Sequence, residues 1–222
     1  MEYRVWIKAI GKISYNVLGL VVEKPRGFDF EPGQATELSI DQGKWREEQS
    51  PFSFTNLPTD GDLEFTIKVY PEHNGVTEKL STLQVGDGLI IRDAFGAIRY
   101  KGKGTFLAGG AGVTPFISIL KSLEYQDRLK EHSLIFANKE ERDIFLKDEF
   151  ETLLGGRFLN ILSQERTRRY PYGMIDKTFL ETTISDFSQF FYVCGPPPMV
   201  NDVVSALKEL GAGDESIVIE SV

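Results

Sequence analysis

Apolar and polar residues alternate in short runs through the first half of the chain and in longer, helix-spaced groups through the second. From residue 1 to about 103 the short runs predict strands at Glu2 to Ile10, Ser14 to Val22, Ala35 to Ile40, Pro51 to Thr55, Leu63 to Tyr70 and Gly88 to Arg92. Turn formers such as Pro25, Gly27, Pro32, Gly33, Pro58, Gly61, Gly86 and Gly96 fall between or beside them, which predicts an antiparallel β-barrel. The only helical turn expected in this half starts near Thr77, whose hydroxyl could cap it.

From Gly104 onward the period changes. Apolar runs at Thr105 to Ala108, Ser133 to Ala137, Phe158 to Leu162, Phe190 to Cys194 and Ser216 to Glu220 read as strands. Between them Phe116, Ile119, Leu120 and Leu123, and later Val200, Val203, Val204, Leu207 and Leu210, recur at helical spacing. That alternation predicts an α/β domain with a parallel sheet. The Lys101-Gly-Lys-Gly104 stretch is the expected boundary, giving a barrel domain over 1–103 and an α/β domain over 104–222.

Composition narrows the chemistry. At 41 % hydrophobic and 26 % charged, the 222 residues can build and solubilise real cores. No apolar run approaches the roughly 20 residues that cross a bilayer, and the Met1-Glu-Tyr-Arg start lacks a signal-peptide apolar core, so a cytoplasmic protein without membrane contact is expected. A net charge of -8 argues against nucleic acid as a partner, because that role needs a cationic footprint. The single cysteine, Cys194, and two histidines, His73 and His132, offer no metal-ligand spacing, and both histidines read as solvated surface. If the protein moves electrons, an organic cofactor must carry them.

Two loops of the second half stand out. Leu107-Ala-Gly-Gly-Ala-Gly-Val-Thr-Pro115 runs from a strand through glycines into a helix that opens on Thr114 and Pro115. Glycines let the backbone approach a ligand, and a helix start offers unpaired N–H groups to a phosphate, although a tight turn with no ligand reads the same way. Val193-Cys-Gly-Pro-Pro-Pro-Met199 ends another strand of the same expected sheet, and its prolines suggest a rigid turn without hydrogen bonds. Both loops are expected at the carboxyl edge of the sheet, where open α/β folds bind ligands. In the first half, Ser50-Pro-Phe-Ser-Phe-Thr55 carries rings and a hydroxyl on one strand, suited either to core packing or to stacking on a planar ligand. His73-Asn-Gly-Val-Thr77 is a second possible phosphate cradle.

Taken in order, these segments resemble the ferredoxin-NADP reductase family, which pairs a Greek-key flavin-binding β-barrel with a nicotinamide-nucleotide α/β domain. The sharpest matches are Gly110-Ala-Gly-Val-Thr-Pro115 and Cys194-Gly-Pro-Pro-Pro-Met199, backed by Pro32-Gly-Gln34, Pro51-Phe-Ser53, Gly75-Val-Thr77, Val85-Gly-Asp87 and Gly173-Met-Ile175. The resemblance implies FAD rather than FMN as cofactor and NADPH or NADH as hydride donor. It implies that Phe52, beside Pro51 and Phe54, stacks on the flavin and that Ser53 hydrogen-bonds near the hydride-accepting nitrogen. Lys68, Val69 and Tyr70 would run along the flavin, and Gly75, Val76 and Thr77 would receive its pyrophosphate. Gly110, Gly112, Val113, Thr114 and Pro115 would hold the nicotinamide nucleotide's pyrophosphate. Cys194, Gly195, Pro196, Pro197 and Met199 would wall the nicotinamide, with Glu220 an acid near the flavin. Ser53, Cys194 and Glu220 would thus be catalytic by positioning, with no acid-base pair or nucleophile among them.

The chain departs from the family at Ser50, where an arginine normally meets the flavin phosphate. Losing a charge-assisted contact weakens binding by roughly 1.5 to 3 kcal/mol, one to two decades in affinity. Arg46, four residues earlier, reads as solvent-exposed rather than as its substitute. Arg142, Arg166, Arg168 and Arg169 lie where a 2′-phosphate would be read, yet Glu140, Glu141 and Glu165 are mixed among them, and the pattern leaves NADH and NADPH open. A ferredoxin or flavodoxin is the expected acceptor. Free flavin or a ferric chelate, or a non-catalytic nucleotide-binding or electron-transfer subunit, are the alternatives.

Overall fold

A computed structural model describes residues 1–70, 75–96 and 98–220. They fall into two compact units, residues 1–96 with 114–122, and residues 97–113 with 123–222.

The first unit is a six-stranded antiparallel sheet. Its strands are β1 (Glu2–Ser14), β2 (Val17–Glu23), β3 (Ala35–Ile40), β4 (Ser50–Ser53), β5 (Asp62–Lys68) and β6 (Gly88–Arg92), in the order β4-β3-β6-β1-β2-β5. The long β1 serves two partners: Glu2 to Trp6 pair with β6, and Ile7 to Ser14 pair with β2. It runs on to Ser14 rather than ending at Ile10, and β2 begins at Val17 rather than Ser14, because residues 11–14 pair back onto the start of β2, with Gly11 opposite Gly19. A bridge from Phe54 to Phe65 brings the two edges together, so the sheet is barrel-like. Inward-facing Val5, Leu20, Leu38, Phe54, Phe65 and Ile91 fill it and are fully or almost fully buried. Short helix α1 (Val76–Leu80) is capped by Gly75, not by Thr77 as expected. The Thr77 hydroxyl instead accepts from the Tyr70 amide at 3.3 Å, tying the end of β5 to the helix.

The second unit is a parallel sheet of β7 (Gly104–Gly109), β8 (Ser133–Asn138), β9 (Phe158–Leu162), β10 (Phe190–Cys194) and β11 (Ile217–Ile219), in the order β11-β10-β7-β8-β9. The chain steps outward from β7 to β9, then returns to the other side of β7 for β10 and β11. The order of strand addition therefore reverses between β7 and β10, with all strands parallel. Helices α2 (Thr114–Tyr125) and α5 (Pro197–Glu209) lie where the periodicity places them; α3 (Lys147–Leu154) and α4 (Lys177–Thr183) were not expected.

His132, read from sequence as surface, is 2 % exposed at the foot of β8. Its ring nitrogen lies 3.1 Å from the Tyr100 hydroxyl, and burial holds its pKa below the usual histidine value. The polar run Lys130-Glu131-His132 hid it, because only the third residue turns inward. His73 lies outside the described residues. No helix among the described residues is long and apolar enough to cross a membrane.

Candidate functional site

At the reversal between β7 and β10 the two glycine-bearing loops meet. Gly110 opens a turn over Gly110–Val113 with φ +53°, a conformation that favours glycine, and the space where its side chain would stand is open. Helix α2 begins immediately afterwards, at Thr114 and Pro115. Gly112 is glycine for a different reason. A β-carbon there would collide with the Cys194 carbonyl and lie 2.6 Å from the Gly195 nitrogen. Gly195 in turn would place a β-carbon 3.1 Å from the Gly109 backbone, and Gly109 would meet Pro196 and Met199. The loops thus touch backbone to backbone, leaving the Gly110 amide region open at the start of a helix, a shape suited to a pyrophosphate.

The proline run is a correction to the expected turn without hydrogen bonds. Pro196 precedes α5, and Pro197 and Pro198 fill its first turn, where no N–H is needed. The Pro196 carbonyl accepts from the Val200 amide at 3.1 Å. Cys194 is 7 % exposed, and its thiol donates to Glu220 Oε2 at 3.7 Å. Burial, and then the Glu220 carboxylate, push its pKa up to about 12, so it is a neutral thiol and not a nucleophile.

In the first unit, alternation along β4 sorts the candidate residues. Phe52 and Ser53 are half-buried and Pro51 is exposed, but Phe54 is fully buried, its ring stacked 4.3 Å from that of Phe30. The Phe54 ring belongs to the core and leaves only backbone to face a ligand. Ser53 Oγ lies 3.5 Å from the Thr114 hydroxyl. Past β5, the Val69 amide donates to the Asn16 carbonyl at 2.8 Å, and Tyr70 is exposed above Thr77. Gly75 and Val76 open α1; His73 and Asn74 lie outside the described residues. Ser50 pairs with Leu38 across the β3–β4 ladder. Arg46 is not simply solvated: together with Arg4 it holds Asp41, whose side chain is 1 % exposed.

Beyond β8 and β9 the charged residues are mostly engaged with one another. Arg142 pairs with Glu140 at 2.7 Å, Arg169 with Glu151 at 2.9 Å, and the Arg166 guanidinium lies 4.0 Å above the Tyr172 ring. The Glu141 amide donates to Glu165 at 2.7 Å, and Arg168 is exposed. Tyr172 is held beside Leu162, whose amide donates to the Pro171 carbonyl at 3.0 Å and whose carbonyl accepts from the Gly173 amide at 2.8 Å. Among the described residues no group of His, Cys, Asp or Glu could hold a metal ion.

Residues 106–205 match the family model of the oxidoreductase NAD-binding domain. The reductase component of propane 2-monooxygenase from Mycolicibacterium smegmatis is 26 % identical over 90 % of this chain and 62 % of its own length. NADH-cytochrome b5 reductase 1 of Arabidopsis thaliana is 28 % identical over 92 % of this chain and 78 % of its own. A ferredoxin NADP+ reductase from Neisseria gonorrhoeae, solved with bound FAD and NADP, superposes with a TM-score of 0.84 at 19 % identity, covering 98 % of this chain and 97 % of that one. The chain shares its fold with that structure, and its residues 106–205 are those that match the oxidoreductase NAD-binding domain. It spans about three fifths of the length of the propane monooxygenase reductase component.

Proposed function

We propose that the protein is an NAD(P)H-dependent flavin oxidoreductase that hands electrons to a separate redox protein. The observation that carries this reading is the contact of the Gly110 and Cys194 loops at the sheet reversal, where only glycine lets the two backbones meet. In this reading Gly110, Gly112, Val113, Thr114 and Pro115 bind the pyrophosphate of the nucleotide at the head of the twelve-residue α2. Cys194, Gly195, Pro196, Pro197 and Met199 shape the nicotinamide end. Burial, and then Glu220, keep the Cys194 thiol neutral, so it would meet the nicotinamide as an apolar group and not as a nucleophile. Phe52 and Ser53 face the flavin, with Thr114 orienting the Ser53 hydroxyl; Lys68, Val69 and Tyr70 run along it and Gly75, Val76 and Thr77 take its phosphates. FAD held by these residues would supply the hydride-accepting and electron-releasing chemistry. The protein contributes proximity, orientation and exclusion of water. Residues 1–103 and 104–222 are the flavin and nicotinamide halves of this reading.

Relatives named as an oxygenase reductase component and a cytochrome b5 reductase support a protein acceptor, and we place a ferredoxin or flavodoxin in that role, in the cytoplasm. One observation favours a second reading in which flavin is a diffusible substrate: Ser50 lacks a cation, and the nearby Arg46 is committed to Asp41. The absorption spectrum of freshly purified protein, followed by NADH or NADPH added without oxygen, tests both. A flavin spectrum that bleaches supports the first reading, and colourless protein that turns over only with added flavin supports the second. Absence of turnover with either nucleotide and added flavin overturns both.

A further inference from the structure

We infer that Met199 is a site of reversible oxidation, at which an oxygen atom added to the sulfur opens the contact between the two glycine loops and weakens nucleotide binding; the inference rests on the oxidoreductase reading above. The chain has three methionines. Met1 and Met174 are exposed, at 81 % and 65 %, and their oxidation disturbs no packing. Met199 differs from both. It lies in the first turn of α5, half-buried, and packs against the core of the parallel sheet.

The Met199 sulfur sits where the two loops meet. A β-carbon added at Gly109 would collide with it, and one added at Gly195 would lie 3.1 Å from it. The thioether therefore fills the space that both glycines leave, a place suited to a flexible, polarisable side chain. Pro196, Pro197 and Pro198 beside it are exposed, so a solute as small as hydrogen peroxide reaches the half-buried sulfur from that side. Peroxide is also the oxidant that arises when two electrons meant for a redox partner pass to dioxygen instead. The sulfur lone pair attacks one peroxide oxygen, and a sulfur–oxygen bond forms as the oxygen–oxygen bond breaks. Sulfur gives up two electrons, and the hydroxide that leaves takes the proton of the newly bound oxygen and departs as water. The sulfoxide is polar and larger, and methionine sulfoxide reductases reverse its formation. Its oxygen needs room and a hydrogen-bond donor where the Gly109 and Gly195 backbones stand. If the side chain stays, the loops part; if it swings out, they lose the group that separates them. Either way Gly109 moves, and with it the Gly110 turn that follows.

The test treats the purified protein with hydrogen peroxide, maps the added oxygen by peptide mass spectrometry, and titrates ADP-ribose by calorimetry. ADP-ribose carries the pyrophosphate and cannot donate a hydride. Oxidation of Met199 is expected to lower its affinity about tenfold, and methionine sulfoxide reductases with dithiothreitol to restore it. Met199→Leu, which keeps the volume, is expected to bind equally before and after peroxide, whatever its starting affinity, whereas Met174→Leu loses affinity on treatment as the wild type does. Recovery with the reductases makes the same test on the wild type, should Met199→Leu fold poorly. The inference is overturned by a Met199 that stays unmodified at peroxide levels converting Met174, by oxidised Met199 with unchanged affinity, or by sensitivity that persists in Met199→Leu. Untreated protein that does not bind ADP-ribose sinks the nucleotide reading itself, and the inference with it.

Discussion

Cys194 shows how far a residue's surroundings decide its chemistry. A lone cysteine at a loop that ends a strand of a parallel sheet invites a nucleophilic role, but burial and the Glu220 carboxylate push its pKa up to about 12. Alkylation by iodoacetamide at pH 8 is therefore expected to be far slower in the folded protein than in urea. The same shift has a stability consequence. Because the folded pKa lies above the ordinary value of 9.0, the contribution is complete below about pH 9 and is lost as pH rises toward 12. Cys194→Ala should flatten the alkaline fall in melting temperature over that window, and an unchanged slope would sink the assignment. Other residues were read correctly only in part. Phe54 carries the same aromatic signal as Phe52, and only the strand's twofold alternation separates the core ring from the half-exposed one. Thr77 looked like a cap because its type and position suit one, yet Gly75 fills that place and frees the hydroxyl for Tyr70.

At the scale of elements, most of the fold was legible because strands and long helices write a period into the sequence. Ala35–Ile40, Gly88–Arg92, Phe158–Leu162 and Phe190–Cys194 appear as read. Helix α3 did not show because it buries only Phe150 and Leu154 and begins after Leu146, whose φ of +53° gives no cap signature. Helix α4 was findable: Asp176 accepts from the Phe179 amide at 2.8 Å, the usual mark of a helix start. The glycine loop reads in the sequence either as ligand-facing or as a tight turn, and the structure gives its glycines different roles. Gly112 and Gly195 are needed by each other's loops, and Gly110 by its own turn. Gly110→Ala should cost roughly 1–2 kcal/mol for its left-handed backbone. Gly112→Ala should cost about as much or more from collision, and in addition displace the Cys194 loop. Nucleotide titration alongside thermal melts separates the two: affinity should drop more for Gly112→Ala than its stability loss alone explains. Equal affinity for the two variants would count against the buttressed-loop account.

For the molecule as a whole, a change of period along the chain announced an antiparallel half followed by a parallel one, and the two sheets have those forms. The stripe of Phe116, Ile119, Leu120 and Leu123 did not mark residues 114–122 as members of the first unit, and the burial of Ile117 and Ser118 beside it shows that the helix is covered on more than that stripe. Their attachment is specific: the Gly33 amide donates to the buried Ser118 hydroxyl at 3.0 Å, and Lys121 donates to the Thr55 carbonyl at 3.0 Å. A fragment of residues 1–103 is expected to melt below the intact protein, with the Gly33 amide exchanging its hydrogen much faster, because a buried donor without a partner costs about 1–3 kcal/mol. Equal protection of that amide in the fragment would show that the helix adds nothing. A ribosome makes the first unit's strands early but releases their last partner only after β7 and the Gly110 turn have followed. The nascent barrel must therefore wait, unfinished and open to chaperones and proteases, for a helix whose sequence lies beyond the start of the next sheet.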